Sequence, residues 1–400
     1  MFLHLLKPIW RRKSRNLMLS LEILLAFVVV FAVSAAGVRY YQLYHLPIGF
    51  EHERLWSVQM QQTNQGGPKN DPQLYDQLRR GLLDLPEVEK VAFSSFPLYD
   101  NSTWSGDLHL PEGGASVQSD LVQSSDEYFD TLGMRLAEGR WFTAADEGAA
   151  EQPIVINRRL ADALFPGKSA IGQLISDGGP DRKDRSMMRV TGVVEAFRNH
   201  GEFMQPVNFV IQRFSPLSSV RGVETVLLKV RPGTSRAFEA RLSERLKLVR
   251  NDWSYRISPV DDMRSTMLRT SVIPLVILAV IGAFLLLMVG FGLFGVLWQS
   301  TTRRIPEIGL RRAIGATAGS IYRQIIVEQL LLTGLAMAVG LVLLVQLPIT
   351  GVFGENLSWP LFLVAALLSM TVMSLVSVLC ALYPAWRASR LSPTQALHYE

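Results

Sequence analysis

The sequence predicts an α-helical membrane protein with four transmembrane helices and an α+β extracytoplasmic domain of two lobes. Three observations predict it. Apolar residues are gathered into four long runs instead of being spread along the chain. The stretch between the first and second runs has the composition of a soluble domain, and the basic residues cluster beside particular ends of the runs. The chain has 400 residues, 48% hydrophobic and 19% charged, with a mean hydropathy of +0.20. That is more apolar than a soluble enzyme of its size usually is. The formal net charge of +5 lies mostly in short segments flanking the runs, so it reports membrane topology. No basic patch interleaved with aromatic residues is present, so nucleic acid is not an expected partner.

A helix needs about 20 apolar residues to cross the hydrocarbon core. The first run, 17–38, meets that length, as do 272–298, 325–347 and 359–382. The second has no polar side chain at all, and Trp359 and Trp386 flank the fourth as interfacial anchors. Lys7, Arg11, Arg12, Lys13 and Arg15 precede the first run. Arg303, Arg304, Arg311, Arg312 and Arg323 lie between the second and third, and Arg387 and Arg390 follow the fourth, whereas the loop 348–358 has neither Lys nor Arg. The positive-inside rule then puts both termini and the tail 383–400 in the cytoplasm and residues 39–271 outside, in a bacterial inner membrane. Residues 1–16, with Phe2, Leu3, Leu5, Leu6, Ile9 and Trp10 followed by cations, suit a cytoplasmic amphipathic segment in contact with membrane lipid. Ser34-Ala35-Ala36 resembles a signal-peptide cleavage site, but the apolar run is too long for one and contains Glu22, so the segment is read as a retained span.

Within 39–271, Leu55–Met60 reads as a strand. Asp71 caps a helix through Leu85 whose Leu74, Leu78 and Leu82 share one face, and Val88–Phe93 reads as the next strand. Thr225–Val230, Ser235–Leu248 and Tyr255–Val260 repeat that strand–helix–strand order. Two α/β halves, about 50–95 and 195–262, are therefore expected to close on each other, with a lobe at about 96–190 inserted between them. The single Cys380 lies in the fourth run and makes no intrachain disulfide, so the external domain depends on its core alone.

Enzyme chemistry finds no foothold. Gly167-Lys168-Ser169 resembles the end of a phosphate-binding loop, but Asp162 stands where that motif needs glycine. The six His residues are scattered, with no metal-ligand spacing. A non-catalytic membrane subunit that binds no cofactor itself is expected.

The most informative stretch is 299–324. Pro306 and Glu307 suit a helix first turn, because the missing amide is harmless there and the acid meets the helix dipole. Ile308, Leu310 and Ile314 are apolar, Arg311 and Arg312 carry charge, and Gly315-Ala316-Thr317 ends the helix before a new one begins near Ala318. A short helix–turn–helix lying against the membrane is predicted. On composition alone an interfacial helix anchored by its cations is favoured over a lever that takes force from a cytoplasmic partner.

Arg304-Ile305-Pro306-Glu307-Ile308-Gly309-Leu310-Arg311-Arg312-Ala313-Ile314-Gly315-Ala316 resembles the signature of the MacB/FtsX-type ABC permease family. Tyr383-Pro384-Ala385-Trp386-Arg387-Ala388 and Leu391-Ser392-Pro393-Thr394-Gln395-Ala396-Leu397 resemble its C-terminal tail. Tyr128-Phe129-Asp130-Thr131-Leu132-Gly133-Met134, Gly139-Arg140-Trp141-Phe142, Leu164-Phe165-Pro166-Gly167 and Val190-Thr191-Gly192-Val193-Val194 are similar to its periplasmic core. The resemblance spans essentially the whole chain in order.

It implies a mechanotransmitter. A separate ABC ATPase dimer holding ATP and Mg would push Glu307, Ile308, Gly309, Leu310, Arg311, Arg312, Ala313, Gly315 and Ala316. The membrane helices would relay that motion outward, in efflux or export. Implied partners are a second permease copy or sister chain, a periplasmic adaptor and an outer-membrane channel. Signal relay to a cell-wall hydrolase and lipoprotein extraction are the alternatives within the family, and an ATP-independent receptor is the alternative outside it. MacB itself has a fused N-terminal ATPase, whereas this chain is expected to rely on a partner. Pro306 stands where Arg or Lys often precedes the signature Glu. Glu22 and Glu328 are carboxylates inside spans, where such groups are costly and tend to be functional. They are expected either to pair with Arg15 and Arg323 or to make polar contacts that hold a dimer in register.

Overall fold

A computed structural model describes residues 13–62, 71–113, 116–179, 185–217, 219 and 222–390. The amphipathic segment before Lys13 and the tail motif 391–397 lie outside them. The chain divides into two units, one formed by residues 1–42 and 272–400 and the other by 43–271.

Among the described residues, four helices are long and apolar enough to cross a membrane. They are α1 (Lys13–His45), α6 (Val260–Arg303), α8 (Ala318–Leu344) and α10 (Trp359–Ser389), with a short α9 (Gln346–Thr350) after α8. Most run beyond the apolar stretches that mark them. α6 has 44 residues, and at 1.5 Å per residue its length is roughly twice the hydrocarbon thickness. Its first turns are polar, with Asp261 and Asp262 at the N-terminus, so hydropathy alone does not reveal them. In the membrane unit Phe27, Val30, Phe31, Val289, Met337, Phe362 and Met373 form one core. Close approach is greatest at Gly340, where a Cβ would stand 2.6 Å from the Phe27 ring.

The external unit holds β1 (Leu55–Gln62), α2 (Pro72–Leu83), β2 (Val88–Ser94), β3 (Trp104–Leu108), β4 (Val117–Ser124), α3 (Tyr128–Leu132), β5 (Leu136–Gly139), β6 (Gln152–Asn157) and α4 (Arg158–Leu164). These are followed by β7 (Leu174–Ser176), β8 (Met187–Val194), β9 (Phe209–Arg213), β10 (Thr225–Val230), α5 (Phe238–Val249) and β11 (Trp253–Pro259). The strands join in the order β11-β1-β10-β2-β4-β9-β6-β8-β5, with β3 on β4 and β7 on β8.

The sequence suggests two halves closing on each other; instead the two strand–helix–strand units interleave. β10 lies between β1 and β2, and β1 lies between β10 and β11, all antiparallel. This is the split β-α-β arrangement. α2 and α5 cover one face, with Leu74, Leu78, Leu82, Phe238, Leu242 and Leu246 buried against Trp56, Val58 and Leu228. At roughly 1.5–3 kcal/mol for each large apolar side chain, this layer is a major part of the domain's stability. Asp71 caps α2 by accepting from the amides of Gln73 and Leu74.

The second section is mixed: β4 runs parallel to β9, β9 antiparallel to β6, and β6 parallel to β8. β9, at 209–213, belongs to this section although it falls within the stretch read as the second half. α4 packs Leu160 and Leu164 onto Ile154, Ile156 and Val190. The two sections are joined in register at Ser94 with Ser124, where β2 runs antiparallel to β4. Serine hydroxyls finish the seam: Ser125 accepts from the Phe93 amide and Ser95 from the Gln123 amide, both at 3.0 Å.

Arg198 organises the loop between β8 and β9. It is 3% exposed, and all five of its guanidinium N–H donors meet backbone carbonyls. Nε donates to Met204, Nη1 to Leu43 and Leu46, and Nη2 to Glu202 and Met204. Leu43 and Leu46 lie at the C-terminal end of α1, where carbonyls lack helical partners and a cation is favoured. Glu202, in the same loop, accepts from Arg264 in the first turns of α6.

Candidate coupling element

After Arg303 the chain reverses through α7 (Ile305–Ala313). Pro306 is its second residue and Glu307 lies in its first turn, where neither an absent N–H nor a negative charge is penalised. Ile305, Ile308 and Gly309 are buried. Ile308 packs with Ile321 of α8 and Ala388 of α10, edged by Ala316 and Ile325. Gly315 has φ +103°, a left-handed conformation that suits a residue without a Cβ. Thr317 then caps α8 by accepting from the Ser320 amide at 3.3 Å.

Polar contacts fasten α7 on two sides. Arg311 pairs with Glu307 one turn earlier at 2.7 Å and donates to Gln324 of α8 at 3.0 Å. Gln324 donates to Glu328 at 2.9 Å, and Arg304, just before α7, donates to the other Glu328 oxygen at 2.7 Å. Arg312 donates to the carbonyl of Ser389 at the end of α10, at 3.2 Å. The opposite face is open. Leu310 is 57% and Ile314 78% exposed, beside exposed Glu307, Arg311, Ala313 and Gly315. The exposed apolar pair Leu310 and Ile314 is thus bordered by the charges of Glu307 and Arg311.

Of the residues singled out in the sequence, Ile308, Gly309 and Ala316 face inward and Arg312 reaches α10, while Glu307, Leu310, Arg311, Ala313 and Gly315 face out. Glu328 joins the element through Arg304, not through Arg323. Positions 323 and 328 are five apart on one helix and do not share a face. Glu22 goes elsewhere. Its carboxylate packs against Gly292 of α6, with oxygens 3.0–3.1 Å from where a Cβ there would stand. The expected Arg15 partner's side chain lies outside the described residues.

Arg304 opens the signature read in the sequence, but its pairing with Glu328 was not expected, nor were the roles of Gln324 and Ser389 or a buried polar triad between α8 and α10. Thr333 and Ser377 hydroxyls lie 2.7 Å apart, and Gln329 donates to both. The four-residue spacings 324–328 and 329–333 were available as a signal; the contacts to Arg304 and Ser377 depend on tertiary packing.

Elsewhere, Gly167-Lys168-Ser169 follows α4 instead of opening a helix, so it lacks the geometry of a phosphate loop. No group of three or more His, Cys, Asp or Glu could hold a metal among the described residues. The external domain bears a groove of about 1010 Å³ lined in part by Trp104, Gln123, Asp146, Arg185 and Arg213. Asp126 hydrogen-bonds Arg213 at 2.8 Å and Glu147 does so at 2.6 Å, and these bonds hold its guanidinium above its ordinary value against the opposing effect of burial.

Known proteins carry both parts of this architecture. The MacB-like periplasmic core domain family matches residues 18–245, and the FtsX-like permease C-terminal family matches 279–393. The chain is 28% identical over 302 residues to the macrolide export ATP-binding/permease protein MacB 1/2 of Paracoccus denitrificans, covering 72% of this chain and 43% of that protein. It is 25% identical over 332 residues to the uncharacterized ABC transporter permease YknZ of Bacillus subtilis, covering 80% and 78%. The chain thus spans less than half the length of the first relative. The crystal structure of the periplasmic region of MacB from Actinobacillus actinomycetemcomitans aligns with TM-score 0.39 and 17% identity, over 56% of this chain and 97% of that structure. By its core-domain match over more than half its length, joined to the permease match, this chain belongs to the MacB/FtsX-like ABC transporter permease family.

Proposed function

We propose that the chain is a non-catalytic membrane subunit that couples ATP hydrolysis by a separate ABC ATPase dimer to rearrangement of its external domain, in efflux or export. The observation that carries this reading is the construction of α7. It is tied to α8 by Arg304 at its N-terminus, on Glu328, and to α10 by Arg312, on Ser389, and its open face offers Leu310 and Ile314. A push on the open face is resisted inside α7 by the Glu307–Arg311 pair and reaches both helices together. An interfacial anchor would need the cations but not these ties. The export activity named for the Paracoccus relative favours efflux over signalling, and the ATP and Mg are assigned to the partner.

The clustering of Lys and Arg supports termini in the cytoplasm of an inner-membrane protein. A second permease copy or sister chain, a periplasmic adaptor and an outer-membrane channel complete the proposed assembly. The test is ATPase activity of the co-purified complex reconstituted in lipid. Arg304→Gln should uncouple hydrolysis from protease-detected motion of the external domain while leaving ATPase binding in place. Motion unchanged in that variant would count against the reading.

A further inference from the structure

We propose that the adjoining ends of α6 and α10 form a binding site for the phosphate of an anionic glycerophospholipid. Four rings make a ladder across the two helices. Ring centroids are 6.1 Å apart for Phe294–Trp298, 5.9 Å for Trp298–Tyr383 and 6.1 Å for Tyr383–Trp386, and the middle pair is within 4° of coplanar. Tyr383 and Trp386 are about half exposed. The ladder stands where the apolar runs of both helices end, the depth that Trp and Tyr prefer.

Two arginines sit over it. The Arg387 guanidinium is 4.4 Å from the Trp298 ring centre, and that of Arg390 is 4.5 Å from Trp386. A guanidinium held over a ring can still present donors to a bidentate oxyanion. Both arginines are exposed, and neither has a carboxylate partner among the described residues. Arg304 and Arg311 of the coupling element each have one. No Asp or Glu occurs in 272–303 or 359–390, and Arg303 adds a third cation at the end of α6. At headgroup depth the oxyanion on hand is a lipid phosphate. An anionic lipid is preferred because a zwitterionic one shields its phosphate with its own ammonium. The site does not depend on an ATPase partner.

The test is native mass spectrometry of the purified full chain titrated with phosphatidylglycerol or with phosphatidylcholine of the same acyl chains. The wild type should retain phosphatidylglycerol preferentially. Arg387→Gln should cut that preference about fivefold, and Arg387→Gln with Arg390→Gln further, as expected for roughly 1 kcal/mol per interfacial arginine. Trp298→Leu keeps both charges but removes the plane, and should also lower it. Arg323→Gln, at an exposed cation with no ring beneath it among the described residues, should not. If Arg387→Gln fails to fold, Arg387→Lys replaces it and should weaken the preference by removing the bidentate edge. An unchanged preference in these variants overturns the proposal. So does full competition by inorganic phosphate, which would make the ligand a free ion, or loss of a co-purifying protein with lipid preference intact.

Discussion

Arg198→Met tests whether the loop between β8 and β9 is held together by a single guanidinium. The substitution keeps the apolar stem and removes five donors. The bonds to Leu43 and Glu202 are buried, and those to Leu46 and Met204 partly so. A buried carbonyl left without its donor costs about 1–3 kcal/mol, and a part-buried one less because water reaches it. Relief from burying the cation offsets some of this, leaving about 3–5 kcal/mol, in the range seen when one side of a buried charged contact is removed. For a domain of this size that lowers the melting temperature by roughly 10 °C. Tryptophan fluorescence of the full chain in detergent reads the melt, and hydrogen exchange at 43–46 and 198–206 locates it. Arg198→Lys should fall between, since three donors cannot meet five contacts. Arg158→Met, at a surface ion pair with Glu138, should melt close to wild type, because an exposed pair contributes little. If Arg198→Met melts with wild type and exchange in those segments is unchanged, the loop is held by something else.

Three further outcomes are expected. Gly49 has φ +91°, and a Cβ there would stand 1.9 Å from the Ala196 carbonyl oxygen; Gly49→Ala should therefore destabilise the external domain by about 3 kcal/mol, read by thermal unfolding. Lys229, at 9% side-chain exposure, hydrogen-bonds Glu51 at 2.7 Å and holds its carboxyl below the usual value of 4.5. That stabilisation is present above pH 4.5 and is lost as pH falls through the lowered folded value, so Lys229→Met should flatten the acid limb of the stability–pH curve, and an identical limb would refute the linkage. Glu328→Gln should loosen α7 from α8, raising amide exchange in 305–313 about fivefold for a half-buried pair near 1 kcal/mol, with no additional effect when Arg304→Gln is combined with it.

The membrane helices were readable because an uninterrupted apolar run of bilayer length is rare in a chain that does not cross a membrane. Their extensions were not: Asp261 to Ser271 is polar, and only packing of Met263 and Met267 onto the external core shows that α6 already begins at Val260. Asp71-Pro72 and the Leu74, Leu78, Leu82 stripe announced α2 from local chemistry alone. Interleaving of the strand–helix–strand units is a matter of long-range register, and β4, with Val117, Leu121 and Val122 among polar residues, carries too weak an alternation to declare itself. In the coupling element, Pro306-Glu307 and Gly315 marked where α7 starts and stops. What holds it, Arg304 on Glu328 and Arg312 on Ser389, joins residues 24 and 77 positions apart, and no local pattern encodes such a pairing.

The most direct test of the account is recovery of an ATPase with the tagged chain. The chain would be purified in mild detergent, wild type beside Leu310→Ser with Ile314→Ser, and the recovered protein identified by mass spectrometry. Burying two such side chains in a partner is worth about 3 kcal/mol or more, so the account predicts a soluble ABC ATPase with the wild type and its loss, by more than about a hundredfold in affinity, from a variant that still melts like wild type. No ATPase with the wild type, or equal recovery with both, would contradict it.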